Sequence, residues 1–203
     1  NTGEQLKAPS PKSMGLIIDH FDAEAARMHT EYMLERLRSE LGALSKSALK
    51  YFYACSYEVR GSIWTPTFVE EFRRRRGYDP VPYLPVLAGA GLADEDAASR
   101  FKIDYRRTVS DLMIDNFYRK TREIANRAGL KLVAEAGGPG WPLHQVPVDA
   151  LKAQGALDIA RGEFWQGATV WVVKETACAA HVYGKPLVQM ESFTSWRHWM
   201  DGP

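Results

Sequence analysis

Only two cysteines occur in 203 residues, too few for a disulfide framework. Cys55 lies inside an apolar run and Cys178 inside a helical one, so both are expected as buried free thiols. Neither sign of charge is in excess. With 26 basic and 25 acidic side chains the net charge is +1, which leaves no field to recruit nucleic acid or an anionic membrane. No apolar stretch approaches the roughly 20 residues that cross a bilayer, and the first dozen residues, with Pro9 and Pro11, are polar rather than signal-like. Glycine-rich nucleotide fingerprints, His-Glu-x-x-His, Cys-x-x-Cys and EF-hand spacings are also missing, as are internal repeats, so no zinc, EF-hand or nucleotide site is legible. The remainder, 45% hydrophobic and 25% charged, is ordinary globular composition.

What is present is a recurrence. Five short apolar runs each end in or beside a carboxylate: Gly15 to Asp19, Tyr51 to Glu58, Leu130 to Glu135, Leu157 to Glu163 and Pro186 to Glu191. Buried strands of parallel sheets read as apolar runs, and α/β folds bind ligands beyond the carboxyl ends of their strands. Acids collected there face a common cleft, which suits acid/base chemistry on a neutral substrate.

Between the runs the pattern is helical. Residues 22–41 carry Ala26, Met33, Leu37 and Leu41 on one face and stop at Gly42. Thr65 and Pro66 are positioned as N-cap and first residue of a helix that runs to Arg76, where Arg73 to Arg76 suit the negative end of the helix dipole. Pro80, Pro82 and Pro85 predict a rigid insertion without long regular structure. From about 97 to 128, Phe101, Tyr105, Val109, Leu112, Met113, Phe117 and Ile124 form a helical stripe. A Gly/Pro loop over 137–141, a short helix near 148–154 and a helix near 171–183, with His181 as a packing residue, complete the order. Alternation of strand and helix leaves a doubly wound sheet or a (β/α)8 TIM barrel. Functional-looking residues after every strand favour the barrel, and about five β/α units are an incomplete one.

Hydrolysis of a glycosidic bond needs one carboxylic acid to protonate the leaving oxygen and a second carboxylate to activate water or attack directly. Glu58 leads into an aromatic loop with Trp64, and Glu191 into a segment with Phe193, Trp196, His198 and Trp199. Aromatic faces pack against the apolar face of a pyranose, so Tyr57, Trp64, Trp141, Trp165 and Trp196 join Asp19, Glu135 and His144 as candidate substrate contacts. A single strand-end acid more often caps a helix or pairs with a neighbouring arginine, Arg60 for Glu58 or Arg161 for Glu163. Five at equivalent positions weigh against that reading. Asp19, in Asp19-His20-Phe21-Asp22, serves equally as cap, metal ligand or substrate contact.

The stretches Ser56-Tyr57-Glu58-Val59, Trp64-Thr65-Pro66, Phe72-Arg73-Arg74-Arg75-Arg76-Gly77-Tyr78-Asp79, Pro82-Tyr83-Leu84-Pro85, Gly162-Glu163-Phe164-Trp165, Ala180-His181-Val182-Tyr183-Gly184-Lys185 and Glu191-Ser192-Phe193-Thr194 resemble glycoside hydrolase family 106 in order and spacing. The resemblance runs from about residue 14 to the end, over part of the family's catalytic domain, with residues 1–13 as a flanking segment or linker. It implies bacterial α-L-rhamnosidases that are secreted or periplasmic, a (β/α)8 barrel, inversion, a carbohydrate substrate and dependence on calcium. It also implies Glu58 as general acid and Glu191 as general base, three strands apart, with the rest of the polypeptide closing the barrel.

One position departs from the resemblance. Cys55 stands where an aspartate is expected before Ser-Tyr-Glu, and a thiol does not replace a hard oxygen ligand for calcium. Glu163, with Glu135, is then the best oxygen ligand. Ala136 also differs from more polar versions, so a barrel glycosidase of other sugar specificity and a catalytically silent carbohydrate-binding relative stand as alternatives.

Overall fold

The computed structural model describes residues 5, 11–12, 14–59, 63–138, 146–166 and 170–195, the side chain of Val172 aside. Helix α1 (Ala23–Leu41) precedes strand β1 (Tyr51–Ala54), and α2 (Phe68–Arg76) and a 3-10 run (Val81–Ala88) lead to α3 (Glu95–Leu112). That helix continues through a π-helical segment (Met113–Arg119) into α4 (Lys120–Arg127). Then come β2 (Lys131–Ala134), α5 (Ala150–Ala156), β3 (Ile159–Trp165), α6 (Trp171–Val182) and β4 (Val188–Thr194). The strands form one sheet in the order β1-β2-β3-β4, and every pairing is parallel. Each connection therefore crosses over through helix, which is what parallel neighbours require.

Aspartates start three of the helices. Asp22 Oδ1 accepts from the Glu24 amide at 2.8 Å, Asp94 Oδ1 from Ala97 at 2.8 Å, and Asp149 Oδ1 from Lys152 at 3.1 Å. Each satisfies an amide that the first turn leaves unpaired. Helix α2 starts at Phe68, two residues later than Pro66 implies, because Thr65 accepts the Phe68 amide through its carbonyl while its side chain is buried. At the other end Gly77 adopts φ 81° and closes the helix after the four arginines. Arg75 and Arg76 reach across to Asp115 and Asp111 and so tie α2 to the long helix.

The predicted stripe from Phe101 to Ile124 holds. Phe101, Val109, Leu112, Met113, Phe117 and Ile124 are buried; all but Ile124 build the main core with Phe68 and Phe72 of α2, Leu132 of β2 and Leu157, and Ile124 joins a second cluster with Leu34 and Leu130. Within the stripe the helix widens to a π turn. Such turns redirect side chains, and here Asn116 donates to the Phe21 carbonyl at 2.7 Å while Phe117 packs on His20. On α1 the buried face is Ala26, Thr30 and Leu34, with Met33 and Leu41 exposed. The predicted face is off by one position at Met33 because Leu34 is the residue that reaches Ile124, Ala125 and Leu130.

Three further expectations are corrected. Among the described residues four strands form the sheet, not five: in the run from Gly15 to Asp19 only Leu16 makes a bridge, antiparallel to Gln5, and it is half exposed. The structure shows a parallel α/β sheet. Both cysteines are free as expected, but exposed. Cys55 lies just beyond β1 on the same side as Tyr51 and Tyr53, where that edge strand has an open face. His181 is exposed rather than packed, since the inward face of α6 is formed by Thr176, Ala179 and Ala180.

Successive strand residues point to opposite faces, so the register divides the sheet into a helix side and an open side. Gly162 lies on the helix side, where a Cβ would come within 2.3 Å of Thr176 Oγ1 on α6 and 3.4 Å of Met190. Thr176 is β-branched and stiff at χ1. Gly162→Ala is therefore expected to lower stability by about 1–3 kcal/mol, read as a reduced urea midpoint in the intact protein with an unchanged slope. An unchanged midpoint would mean that α6 does not press on β3.

Candidate active site

The open side of the sheet carries the chemistry. Val133 pairs with Ile159, Arg161 with Gln189 and Glu163 with Glu191, while Tyr53 pairs with Val133. Counting in twos from these pairs puts Tyr53, Glu135, Arg161, Glu163 and Glu191 on one face. Oxygens of Glu135, Glu163 and Glu191 accordingly lie within 4.8 Å of one another. Glu135 directly follows β2, and Glu163 and Glu191 sit inside β3 and β4 as cross-strand partners.

Like charges this close repel one another, so their surroundings must hold them together. Glu135 is 4% exposed. One of its oxygens accepts both the Tyr53 hydroxyl and Arg161 Nε, the latter at 3.0 Å. The Arg161 guanidinium lies 4.7 Å from the centre of the Tyr53 ring, a cation–π distance. Burial and the bond to Glu135 push the Tyr53 phenol up, so it stays a donor. Burial disfavours the Arg161 cation, but the bond to Glu135 and the neighbouring charges outweigh it and raise its pKa.

Glu163 is 6% exposed and accepts the Trp165 indole N–H. Burial is the largest influence on it and raises its pKa. The indole bond opposes that, and the charges of Glu135, Glu191 and Glu58 add to the rise. Glu163 thus feels the charges of Glu135 and Glu191 and, least of the three, Glu58.

Glu191 is the open member, with its side chain 43% exposed. Its Oε1 accepts Thr194 Oγ1 at 2.8 Å, and its Oε2 lies 3.7 Å from an Arg161 terminal nitrogen. A register shift between Phe164 and Trp165 pairs Trp165 with Thr194 and skips Phe193, whose φ of 61° is left-handed. Bulges bend a strand and re-aim its side chains, and this one returns Thr194 toward Glu191. Glu58 is half-buried, four residues beyond the end of β1, and accepts Ser56 Oγ at 2.9 Å.

The other predicted contacts are distributed around this centre. Trp165 joins it through Glu163. Trp64 is 41% exposed and rests on Phe68, ring centres 5.0 Å apart. Tyr57 is buried, not displayed, with its ring edge-on to His20 and Phe21 beneath the Glu58 segment. His20 between these rings has its pKa lowered to about 4 by burial. Asp19 is not the cap of α1, which is Asp22; it closes a local turn by accepting the Phe21 amide at 2.8 Å. Trp141, His144 and Trp196 lie outside the described residues. The sequence offers Arg161 only as a partner for Glu163, whereas it pairs with Glu135 and Glu191. Tyr53 and Thr194 were not legible as site residues, although spacing by two from the glutamates marks Arg161 once β3 is known.

A parallel sheet with converging strand-end acids is the arrangement that the sequence motifs imply, and comparison with known proteins decides the family. A model of alpha-L-rhamnosidases, glycoside hydrolase family 106, matches residues 1–203. The chain belongs to glycoside hydrolase family 106. A solved structure titled as a rhamnosidase from Novosphingobium sp. PP1Y superposes with a TM-score of 0.83 at 29% identity, over 95% of this chain and 19% of that one. A curated protein of Formosa agariphila, named "Putative beta-glucuronidase", is 34% identical over 198 residues, which is 96% of this chain and 16% of that protein. The family 106 chain thus spans less than a fifth of the length of either relative.

Proposed function

We propose that this chain forms part of the active site of an inverting glycosidase acting on terminal α-L-rhamnosyl residues, with Glu58 as general acid and Glu191 as general base. The observation that carries the reading is the convergence of Glu135, Glu163 and Glu191, whose oxygens lie within 4.8 Å of one another, on a sheet whose first strand leads into Glu58. An acid and a base on opposite flanks of a bound sugar leave room for the attacking water, which inversion requires. Glu191 is the partly exposed member, open to that water. Glu58 takes a hydroxyl donor from Ser56.

Two sugar classes are in contention, because the relatives' names differ. The charge of the site favours a neutral sugar. Among the described residues it holds Glu135, Glu163 and Glu191 against one ion-paired base, Arg161, which is already bonded to Glu135. Where no cation offsets these acids, a uronic acid carboxylate would enter a field of its own sign, and like-charge juxtaposition costs several kcal/mol.

Calcium, the cation expected of the family, fits this donor set. Glu163 and Glu135, buried carboxylates with oxygens within 4.8 Å of one another, are hard ligands of the right kind and would hold the ion together, leaving Glu191 to act as base. Bound there, calcium would supply positive charge to orient sugar hydroxyls. Cys55, on the same open face, contributes no oxygen.

The intact protein should hydrolyse nitrophenyl α-L-rhamnopyranoside with kcat/KM at least about 100-fold above that for the β-D-glucuronide. Proton NMR of early product should show β-L-rhamnose first. Preference for the glucuronide would overturn the sugar assignment, and initial α-anomer would overturn inversion.

A further inference from the structure

We propose that Arg161 is the positioning residue of this site, holding the Glu191 carboxylate in the orientation in which it accepts a proton from water. The inference rests on Glu191 being the general base and adds the device that aims it. The two Glu191 oxygens have different partners: Thr194 Oγ1 donates to Oε1 at 2.8 Å, and the Arg161 terminal nitrogen faces Oε2 at 3.7 Å. A carboxylate hydrogen-bonded at one oxygen and ion-paired at the other is restrained in its terminal torsion, which is otherwise broad. The exposed side of Glu191 then presents the same lone pair on each turnover.

Arg161 can do this because it is itself immobilised. Its Nε bond to Glu135 at 3.0 Å and its seat 4.7 Å from the Tyr53 ring centre fix the guanidinium plane. Tyr53 bonds the same Glu135 oxygen, so the plane is anchored from β1 and β2 before it reaches β4. A charge alone would not suffice. The fork must satisfy Glu135 through Nε and address Glu191 through a terminal nitrogen at once, and lysine has one nitrogen for two tasks. Among the described residues Arg161 is also the only basic side chain ion-paired with Glu135 and Glu191, so its loss leaves Glu191 facing Glu163 and Glu135 with no other ion-paired cation among the described residues.

The test is steady-state kinetics of Arg161→Ala, Arg161→Lys and Glu191→Gln in the intact protein on an aryl α-L-rhamnoside. Misplacing a catalytic group by about 1 Å costs on the order of 100-fold. Arg161→Ala should therefore lose about that factor in kcat, with KM changed by less than about threefold, since the base does its work in the transition state. Guanidinium at tens of millimolar should restore at least about tenfold of the lost kcat in Arg161→Ala and none in Glu191→Gln. Arg161→Lys keeps the stem and the charge, so it carries the test if the alanine variant does not fold, and it should still lose at least about tenfold in kcat. If Glu191→Gln is inactive while Arg161→Lys retains wild-type kcat, or if the loss lies in KM alone, the positioning role is overturned. If Glu191→Gln turns over normally, it is the general-base assignment that fails instead.

Discussion

Glutamine in place of Glu58 or Glu191 should lower kcat on an unactivated α-L-rhamnoside by about 10²–10⁴-fold, the range over which a single positioned acid or base acts. The two losses are expected to differ in kind. Glu58 lies beyond β1 and Glu191 inside β4, at the two ends of the sheet order, and in the proposed mechanism they take the acid and the base role on opposite flanks of the sugar. If Glu58 protonates the leaving oxygen, an aglycone that departs without a proton, such as dinitrophenolate, should recover most of the rate in Glu58→Gln. The same aglycone should do little for Glu191→Gln, whose defect is in the water. Binding should survive both substitutions, because the amide keeps the size of the side chain and the lost interaction develops with the transition state. Turnover within about fivefold of wild type for either variant would remove that residue from the mechanism. Recovery of Glu191→Gln instead of Glu58→Gln by the activated aglycone would exchange the two roles.

What the sequence reveals of this arrangement follows from which signals are local. Aspartates at 22, 94 and 149 cap helices through amides two or three residues away, and the stripe from Phe101 to Ile124 repeats at helical spacing, so these elements are legible without a partner. The glutamates after or within β2, β3 and β4 are legible as strand-end acids for the same reason. The sheet face is different. That Arg161 shares a face with Glu191 depends on the register of β3 against β4, which the crossover through α6 determines and no local pattern encodes. The run from Gly15 to Asp19 shows the converse. Four apolar residues before an aspartate match a strand as well as the true ones do, but here they end in an Asx-type turn at Asp19 and join no parallel neighbour among the described residues. Cys55 and Met33 err by one face each, since short runs specify composition more firmly than phase.

Asp158 is the acid that the runs conceal, and its removal should produce the largest loss of stability. It sits within the apolar run before β3, and its side chain is 13% exposed. One oxygen accepts Arg122 Nε at 2.8 Å, and the other accepts Asn126 Nδ2 at 2.8 Å and the Leu132 amide at 2.7 Å. The Leu132 amide lies one residue ahead of the first β2–β3 pair, Val133 with Ile159, so Asp158 satisfies the donor that the ladder does not reach. Burial tends to raise the Asp158 pKa, but the bonds from Asn126, Leu132 and Arg122 outweigh it and hold the carboxyl below the ordinary aspartate range. Asp158→Ala orphans a buried amide and breaks charge-assisted bonds, for an expected loss of about 2–4 kcal/mol. Arg122 adds little to that figure, since its side chain is 42% exposed. Because the folded-state pKa is depressed, the stabilisation is complete above the unfolded value of about 4 and disappears as the pH falls through the folded value. Asp158→Asn should therefore trail the wild type at pH 7, where an amide cannot accept all three donors, and the gap should narrow steadily below about pH 4. Urea midpoints of the intact protein at pH 7 and in that acid range measure both effects. A gap that stays constant with pH would show that the ionised carboxylate is not what joins α4 to β2 and β3.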